Sequence, residues 1–310
     1  MDTVITKLIP IFILAFIGYT AGKLHILPDN TAEALCSFLF YFCSPAVSFS
    51  NIITSDVKEI FNIRFALAMI MFEAVIFLIL FVLYKTVFRI SGKSLVIHCL
   101  CSFYGNISYV GIPVFISLFN NVIPNIITLL IHGMLTFPLM VFLLDWFSGE
   151  GSHAGPMEAI GKSMKNPNIF IPLIASFLLI CRIRVPQILI NTAELLGRPT
   201  TTAGMFALGL TCSRSSLRSS AHVFLKALAS ALLKLLLCPV VAFIIGKFIF
   251  SLDSWWLNSI VILAMLPAAL NDYILSQRYH SEEEFASVSV LLSTLLFSIT
   301  ITVYSVMIKL

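Results

Sequence analysis

Charge is what this chain has least of. Lys and Arg number 19 and Asp and Glu 15, so 11% of the 310 residues are charged against 59% hydrophobic. With a mean hydropathy of +1.01, the polar side chains are too few to cover a soluble globule, and the chain reads as an integral membrane protein. The net charge of +4 is scattered without a basic run, which excludes a nucleic-acid surface. No H-E-x-x-H, G-x-S-x-G or paired-carboxylate motif occurs, so a membrane-embedded enzyme has nothing to rest on and no cofactor or metal is expected. The seven cysteines lie in apolar runs without C-x-x-C spacing and read as small hydrophobes. Extended polar sequence is also missing. The longest polar stretch, Ser148 to Lys165, is a linker rather than a domain.

The rest is apolar sequence cut by charges and turn signals into ten segments, each close to the ~20 residues a span needs. They run over 4 to 24, 31 to 53, 61 to 87, 95 to 119, 122 to 145, 166 to 182, 187 to 212, 222 to 250, 256 to 278 and 284 to 308. The first is expected to remain as a helix, because Asp2 and Lys7 make a poor basic n-region and no small-residue cleavage site follows. With the N-terminus outside, inner loops collect ten Lys/Arg, among them Lys23, Lys85, Arg89, Lys93, Lys162, Lys165, Arg218 and Arg278. The outer face collects seven, among them Lys58, Arg64, Arg182, Arg184 and Lys309. Positive charge favours the inner side, so both termini are expected to be extracytoplasmic in the cell membrane.

Two of the segments carry a proline at the same stage of their half of the chain, in Val110-Gly111-Ile112-Pro113-Val114 and in Ala264-Met265-Leu266-Pro267-Ala268. Proline lacks a backbone N–H and clashes with the preceding turn. In hydrocarbon the freed carbonyl costs several kcal/mol unless protein or a wet cavity meets it. Paired interruptions of this kind point to a transporter's binding site. An internal match accompanies them: Asn30-Thr-Ala-Glu-Ala-Leu35 against Asn191-Thr-Ala-Glu-Leu-Leu196, an offset of 191 − 30 = 161. Duplication and convergent helix capping both account for it. Under duplication, each half has five spans, an odd number, so the second half enters the membrane inverted. The same offset relates Glu73 to Lys234, the deepest ionisable groups of spans 3 and 8, each of which must face protein or water. The prolines depart from it, because 267 − 113 = 154.

The chain resembles the auxin efflux carrier family, in its short bacterial form. The residues that carry the resemblance are Leu8-Ile-Pro-Ile-Phe-Ile-Leu-Ala-Phe-Ile-Gly-Tyr-Thr-Ala-Gly-Lys23, Leu27-Pro28, Ser44-Pro45-Ala46-Val47-Ser48-Phe49, Gly105-Asn-Ile-Ser-Tyr-Val-Gly-Ile-Pro113, Ala207-Leu-Gly209 and Leu266-Pro-Ala-Ala-Leu-Asn271 with Tyr279. The resemblance implies an all-α fold of ten transmembrane helices, of the PIN and bile-acid-symporter type. Residues 1–146 and 164–310 would be two inverted five-helix repeats, joined by a cytoplasmic linker at 147–163. Helices 1, 2, 6 and 7 would form a scaffold and helices 3–5 and 8–10 a transport domain. Helices 4 and 9 would be broken and cross at Pro113 and Pro267, with a small carboxylate bound beside the crossing. A homodimer is a further implication.

In such a site, exposed N–H groups where a helix resumes suit a carboxylate. Asn106 and Asn271 are the leading substrate contacts, since their amides donate to an anion or accept from its protonated form. Ser108 and Tyr109 are expected to line the cavity, and Gly111 to allow close backbone approach. Pro45 is expected to kink span 2. Glu73, Lys234, Asp272, His98 and His132 are the groups that a coupled H+ or Na+, or support of the site, would use. Ordinary packing, or for Asp272 a wet vestibule beside Arg278, is the competing account of these groups. The expected function is a secondary efflux carrier for a small organic anion. A sensor or interaction protein keeping the fold without transport is the alternative. Orientation is directly testable: a tag following Leu310 should be digested by protease added to intact cells.

Overall fold

The computed structural model describes residues 2–28, 30–148, 166–214 and 220–308. Most of the linker expected at 147–163 therefore lies outside the described residues, as do Lys162, Lys165, Arg218 and Lys309. The described chain is helical: α1 (Asp2–Lys23), α2 (Thr31–Thr54), α3 (Val57–Ile60), α4 (Ile63–Thr86), α5 (Gly92–Phe103), α6 (Ile107–Phe119), α7 (Ile123–Phe147), α8 (Pro167–Ile180), α9 (Gln187–Gly197), α10 (Pro199–Arg214), α11 (Ala221–Ile249), α12 (Ser254–Met265), α13 (Leu270–Arg278) and α14 (Glu283–Met307). Five of these, α2, α4, α7, α11 and α14, are long and apolar enough to cross a membrane, and shorter apolar helices among the described residues overlap the spans expected at 4 to 24, 95 to 119, 166 to 182 and 256 to 278, with α9 and α10 in place of the one expected at 187 to 212. The expected span 95 to 119 is α5 followed by α6, and 256 to 278 is α12 followed by α13.

Four prolines inside long helices are each preceded by a turn of π-helix. The turns are Leu39–Cys43 before Ser44-Pro45, Ile107–Gly111 before Ile112-Pro113, His132–Thr136 before Phe137-Pro138 and Leu233–Leu237 before Cys238-Pro239. A wide turn shifts backbone bonding to i→i+5, as in Ser44 N to Leu39 O and Ile112 N to Ile107 O. This makes room for the ring and spares a carbonyl its missing donor.

The expected position of the first break is corrected by this. Pro113 lies within α6, and the backbone that leaves the helix is Tyr104-Gly105-Asn106, ahead of it. The second break does fall at its proline, over Leu266 to Ala269. Gly105 pairs with Ala268, and 268 − 105 = 163, which is two residues from the 161 of the internal match, nearer than the 154 of the prolines. The left-handed residues Arg89 and Ser251 are 162 apart, a similar spacing. Asn191 is inside α9, accepting from Gln187 Nε2 at 2.9 Å, so helix capping does not explain the Asn-Thr-Ala-Glu match.

Two groups of helices pack most closely. α1 lies along α10, and α2 lies against α8 and α9. On the other side α4 packs on α5, α5 on α7, and α11 on α12 and α14. The α1–α10 contact is backbone to backbone. A Cβ on Gly209 would stand 1.8 Å from the Ala15 carbonyl oxygen, and one on Gly18 2.1 Å from that of Phe206. Small residues at both positions let the helices approach closely without any hydrophobic driving force between them. The breaks lie in the most enclosed part of the molecule, since Leu95 to Ile107 and Ser259 to Ala269 are continuously buried. Gly209→Ala should destabilise the protein by about 1–3 kcal/mol through overpacking. Gly204→Ala, with its nearest neighbour at 3.8 Å, should leave the thermal midpoint in detergent almost unchanged.

Candidate functional site at the crossing of two interrupted helices

The two unwound segments satisfy each other. Asn106 N donates to Pro267 O at 2.8 Å and Ala269 N to Tyr104 O at 3.2 Å, forming an isolated antiparallel bridge around Gly105 and Ala268. Ala268 N donates to Ser293 Oγ of α14 at 3.0 Å, and the Asp272 carboxylate accepts from Ala269 N at 3.1 Å. The Asn106 side chain caps α6, Oδ1 accepting from Tyr109 N at 3.1 Å. Lys234 Nζ, fully buried, donates to Phe103 O at 2.5 Å and Ala264 O at 2.9 Å. One ammonium therefore sits at the C-terminal, electronegative ends of both α5 and α12. The electropositive N-terminal ends of α6 and α13 start from the same crossing.

Beside the crossing is a cavity of about 320 Å3 bounded by α2, α7 and α8, with Tyr104, Ser108, His132, Asn168, Asn271 and Arg278 among its lining residues. A continuation of about 40 Å3 reaches Asn106 and Tyr109. The volume suits a small molecule. The lining has polar groups at the crossing, apolar Phe40, Leu129 and Val141 along the wall, and the charged pair of residues Asp145 and Arg278 at its far end.

Of the expected contacts, Asn106, Ser108, Tyr109 and Asn271 line this space. Asn106 Nδ2 is buried and has no hydrogen-bond partner among the described residues. The Tyr109 hydroxyl donates to Cys36 O at 3.2 Å, tying α6 to α2. Gly111 serves packing: a Cβ there would stand 2.7 Å from Asn125 Nδ2 and 2.8 Å from Leu266 Cδ1. Pro113 is buried away from the cavity, and Pro267 contributes its carbonyl to the crossing. Pro45 is buried in α2, just after its π turn.

The ionisable groups separate. Glu73 and Lys234, equivalent by offset, have different partners. Glu73 faces His132, whose Nε2 lies 2.9 Å from Oε1, and its other oxygen accepts from the Thr136 hydroxyl. Asp272 is fully buried beneath the start of α13, which removes the wet-vestibule account of it. His98 is remote from the cavity, stacked at 3.9 Å on Phe285 with Nδ1 against Ser94 O at 2.8 Å.

Several lining residues escaped the sequence reading. Tyr104 precedes the Gly105-Asn106 break and stacks on His132 at 4.2 Å. Its signal is the Gly-Asn pair, a stronger helix breaker than a proline that a π turn accommodates. Asn168, whose amide donates to Phe40 O at 2.8 Å, opens α8 in Asn166-Pro167-Asn168. Paired asparagines about a helix-starting proline were the available cue.

The chain matches known proteins along nearly its whole length. It is 23% identical over 304 residues to Uncharacterized transporter YfdV of Escherichia coli (strain K12), covering 96% of this chain and 95% of that one. It is 25% identical over 314 residues to the protein named "Putative malonate transporter" of Rhizobium meliloti (strain 1021), covering 95% and 92%. Against Uncharacterized transporter MJ1031 of Methanocaldococcus jannaschii it is 24% identical over 307 residues, covering 95% and 94%. The sequence profile described as Membrane transport protein matches residues 3–154 and 156–305. A multi-pass helical chain whose interrupted helices meet at a small polar cavity thus belongs to the Membrane transport protein family, that of the auxin efflux carriers.

Proposed function

We propose that this membrane transporter is a secondary carrier for a small organic anion, a mono- or dicarboxylate, moved outward by alternating access and bound where α5–α6 crosses α12–α13. One observation carries the reading: the N-terminus of α6 and the unpartnered Asn106 amide converge on the cavity, which answers a carboxylate's need for N–H donors in positive potential. Asn271 supplies a second amide, and Arg278 a cation nearer the mouth for a second carboxylate. A relative bearing a malonate transporter's name fits this class of substrate. At an inside-negative potential, export of one negative charge is favoured by ~2.3 kcal/mol per 100 mV.

In this reading the chain has ten spans in two inverted halves, 1–146 and 164–310, with α5–α6 and α12–α13 as spans 4 and 9. The near-constant offset of the breaks and of the left-handed turns supports the duplication. α1, α2 and α8–α10 form the scaffold, and α4–α7 with α11–α14 the moving body. The tight packing within each group supports that division. The termini are extracytoplasmic, and the scaffold is the surface for a homodimer.

Proteoliposomes holding the purified protein should take up labelled malonate or another small carboxylate saturably, with an imposed potential altering the rate. Absence of saturable flux for every carboxylate tried overturns the reading. Asn271→Ala should weaken binding by about tenfold, the worth of a hydrogen bond to a charged group. Asn106→Asp keeps the acceptor that caps α6 while replacing the donor with a like charge. It should abolish anion binding, measured by calorimetry.

A further inference from the structure

Glu73 and His132 stand behind the cavity wall, where the carboxylate reading makes no use of their chemistry. Both side chains are nearly enclosed, at 7% and 5% exposure. His132 nevertheless lines the cavity, and Glu73 lines a separate pocket of about 120 Å3 on its other side, among Ile70, Leu135 and Leu139. The 2.9 Å approach of His132 Nε2 to Glu73 Oε1 lacks hydrogen-bond alignment, which leaves Oε1 without a bonded donor. Thr136, one turn beyond His132, holds the other oxygen. The pair thus stands at the wall of the substrate cavity, and beside Glu73 is an apolar outward-facing pocket walled by the exposed Ile70, Leu135 and Leu139.

A carboxyl and an imidazole in contact, out of water, share a small number of protonation states. With no proton the pair carries one negative charge, with one it is neutral overall, and with two it is positive. Net charge in this setting is costly, so the state follows the field around it. An anion entering the cavity adds negative charge on the open side of His132 and favours taking up a proton by a pair that holds none or one. Linkage makes the effect mutual, so the proton favours the anion equally. Tyr104 connects the two places, since its ring stacks on His132 and its side chain interacts with Asn271.

Most of the other ionisable groups around the pair have partners of their own, Oδ1 of Asp272 being the exception. Lys234 of α11 is held by two helix-end carbonyls, and Asp272 of α13 by the Ala269 amide. Asp145 of α7 accepts from the Tyr279 hydroxyl at 2.7 Å, near Arg278 at the far end of the cavity. Tyr109 of α6 is engaged with Cys36. α8 and α12 contain no charged residue, and Glu33, the one charge of α2, is exposed.

We propose that Glu73 and His132 form a proton-binding site linked to the substrate cavity, so that a carboxylate crosses the membrane together with a proton. This rests on the carboxylate reading above. The test adds malonate to the purified protein in weakly buffered detergent solution containing a pH indicator, with binding followed in parallel by calorimetry. The wild type should take up about one proton per anion bound, and in Glu73→Gln the uptake per bound anion should be lost. In proteoliposomes, an acid-inside gradient should drive malonate export from wild-type vesicles and not from those with Glu73→Gln.

Malonate binding without proton uptake by the wild type overturns the proposal. So does uptake that persists in both Glu73→Gln and His132→Gln. Should Glu73→Gln fail to elute as a single species, Thr136→Val removes the donor to the carboxyl and should shift the pH of half-maximal uptake; an unchanged profile overturns the proposal. Failure of malonate and of other small mono- and dicarboxylates to bind the wild type overturns the carboxylate reading itself, and the proposal with it.

Discussion

Everything at the centre of this molecule depends on pairing backbone groups that a break in a helix sets free. In hydrocarbon each such group left alone costs several kcal/mol, and two breaks in one chain double the demand. The two breaks meet that demand in each other, through Asn106 N to Pro267 O and Ala269 N to Tyr104 O. Ser293 and Asp272 take further donors, and Lys234 takes carbonyls from both upstream helices. Crossing is thus the condition for breaking, since neither helix could be interrupted alone at this depth without leaving polar groups unpaired.

The same arrangement divides charge. The negative ends of α5 and α12 are held by an ammonium inside the protein, while the positive ends of α6 and α13 start beside the cavity. On the carboxylate reading proposed above, an anion site arises without an arginine placed deep among the helices. Lys234 balances the helix ends that the anion does not need, and Asn106 both caps α6 and presents its amide. Membrane cost and binding chemistry are met by the same few residues.

Prolines mark this chain in two different ways. Pro45, Pro113, Pro138 and Pro239 follow π turns and stay within continuous helix, whereas Pro267 lies in unwound backbone. Whether a proline breaks a helix depends on whether the preceding turn can widen. The first half breaks at Gly105-Asn106, where glycine lacks a Cβ and asparagine can cap the helix that resumes.

The apolar runs and the scarcity of charge determined by themselves that the chain is a multi-pass helical membrane protein, because burial in hydrocarbon is set by side-chain composition over each run. That Asn106 and Asn271 line the cavity was legible for a related reason, since they are amides next to backbone that must unwind. The Gly105-Asn106 pair was a local cue to the first break, whereas the division of Glu73 from Lys234 and the inclusion of Tyr104, His132 and Asn168 around one cavity were decided only by tertiary structure. Each depends on which group comes within hydrogen-bonding reach of another more than a hundred residues away or on a neighbouring helix. Sequence spacing measures distance along a helix, and the partner of a buried polar group is chosen across helices.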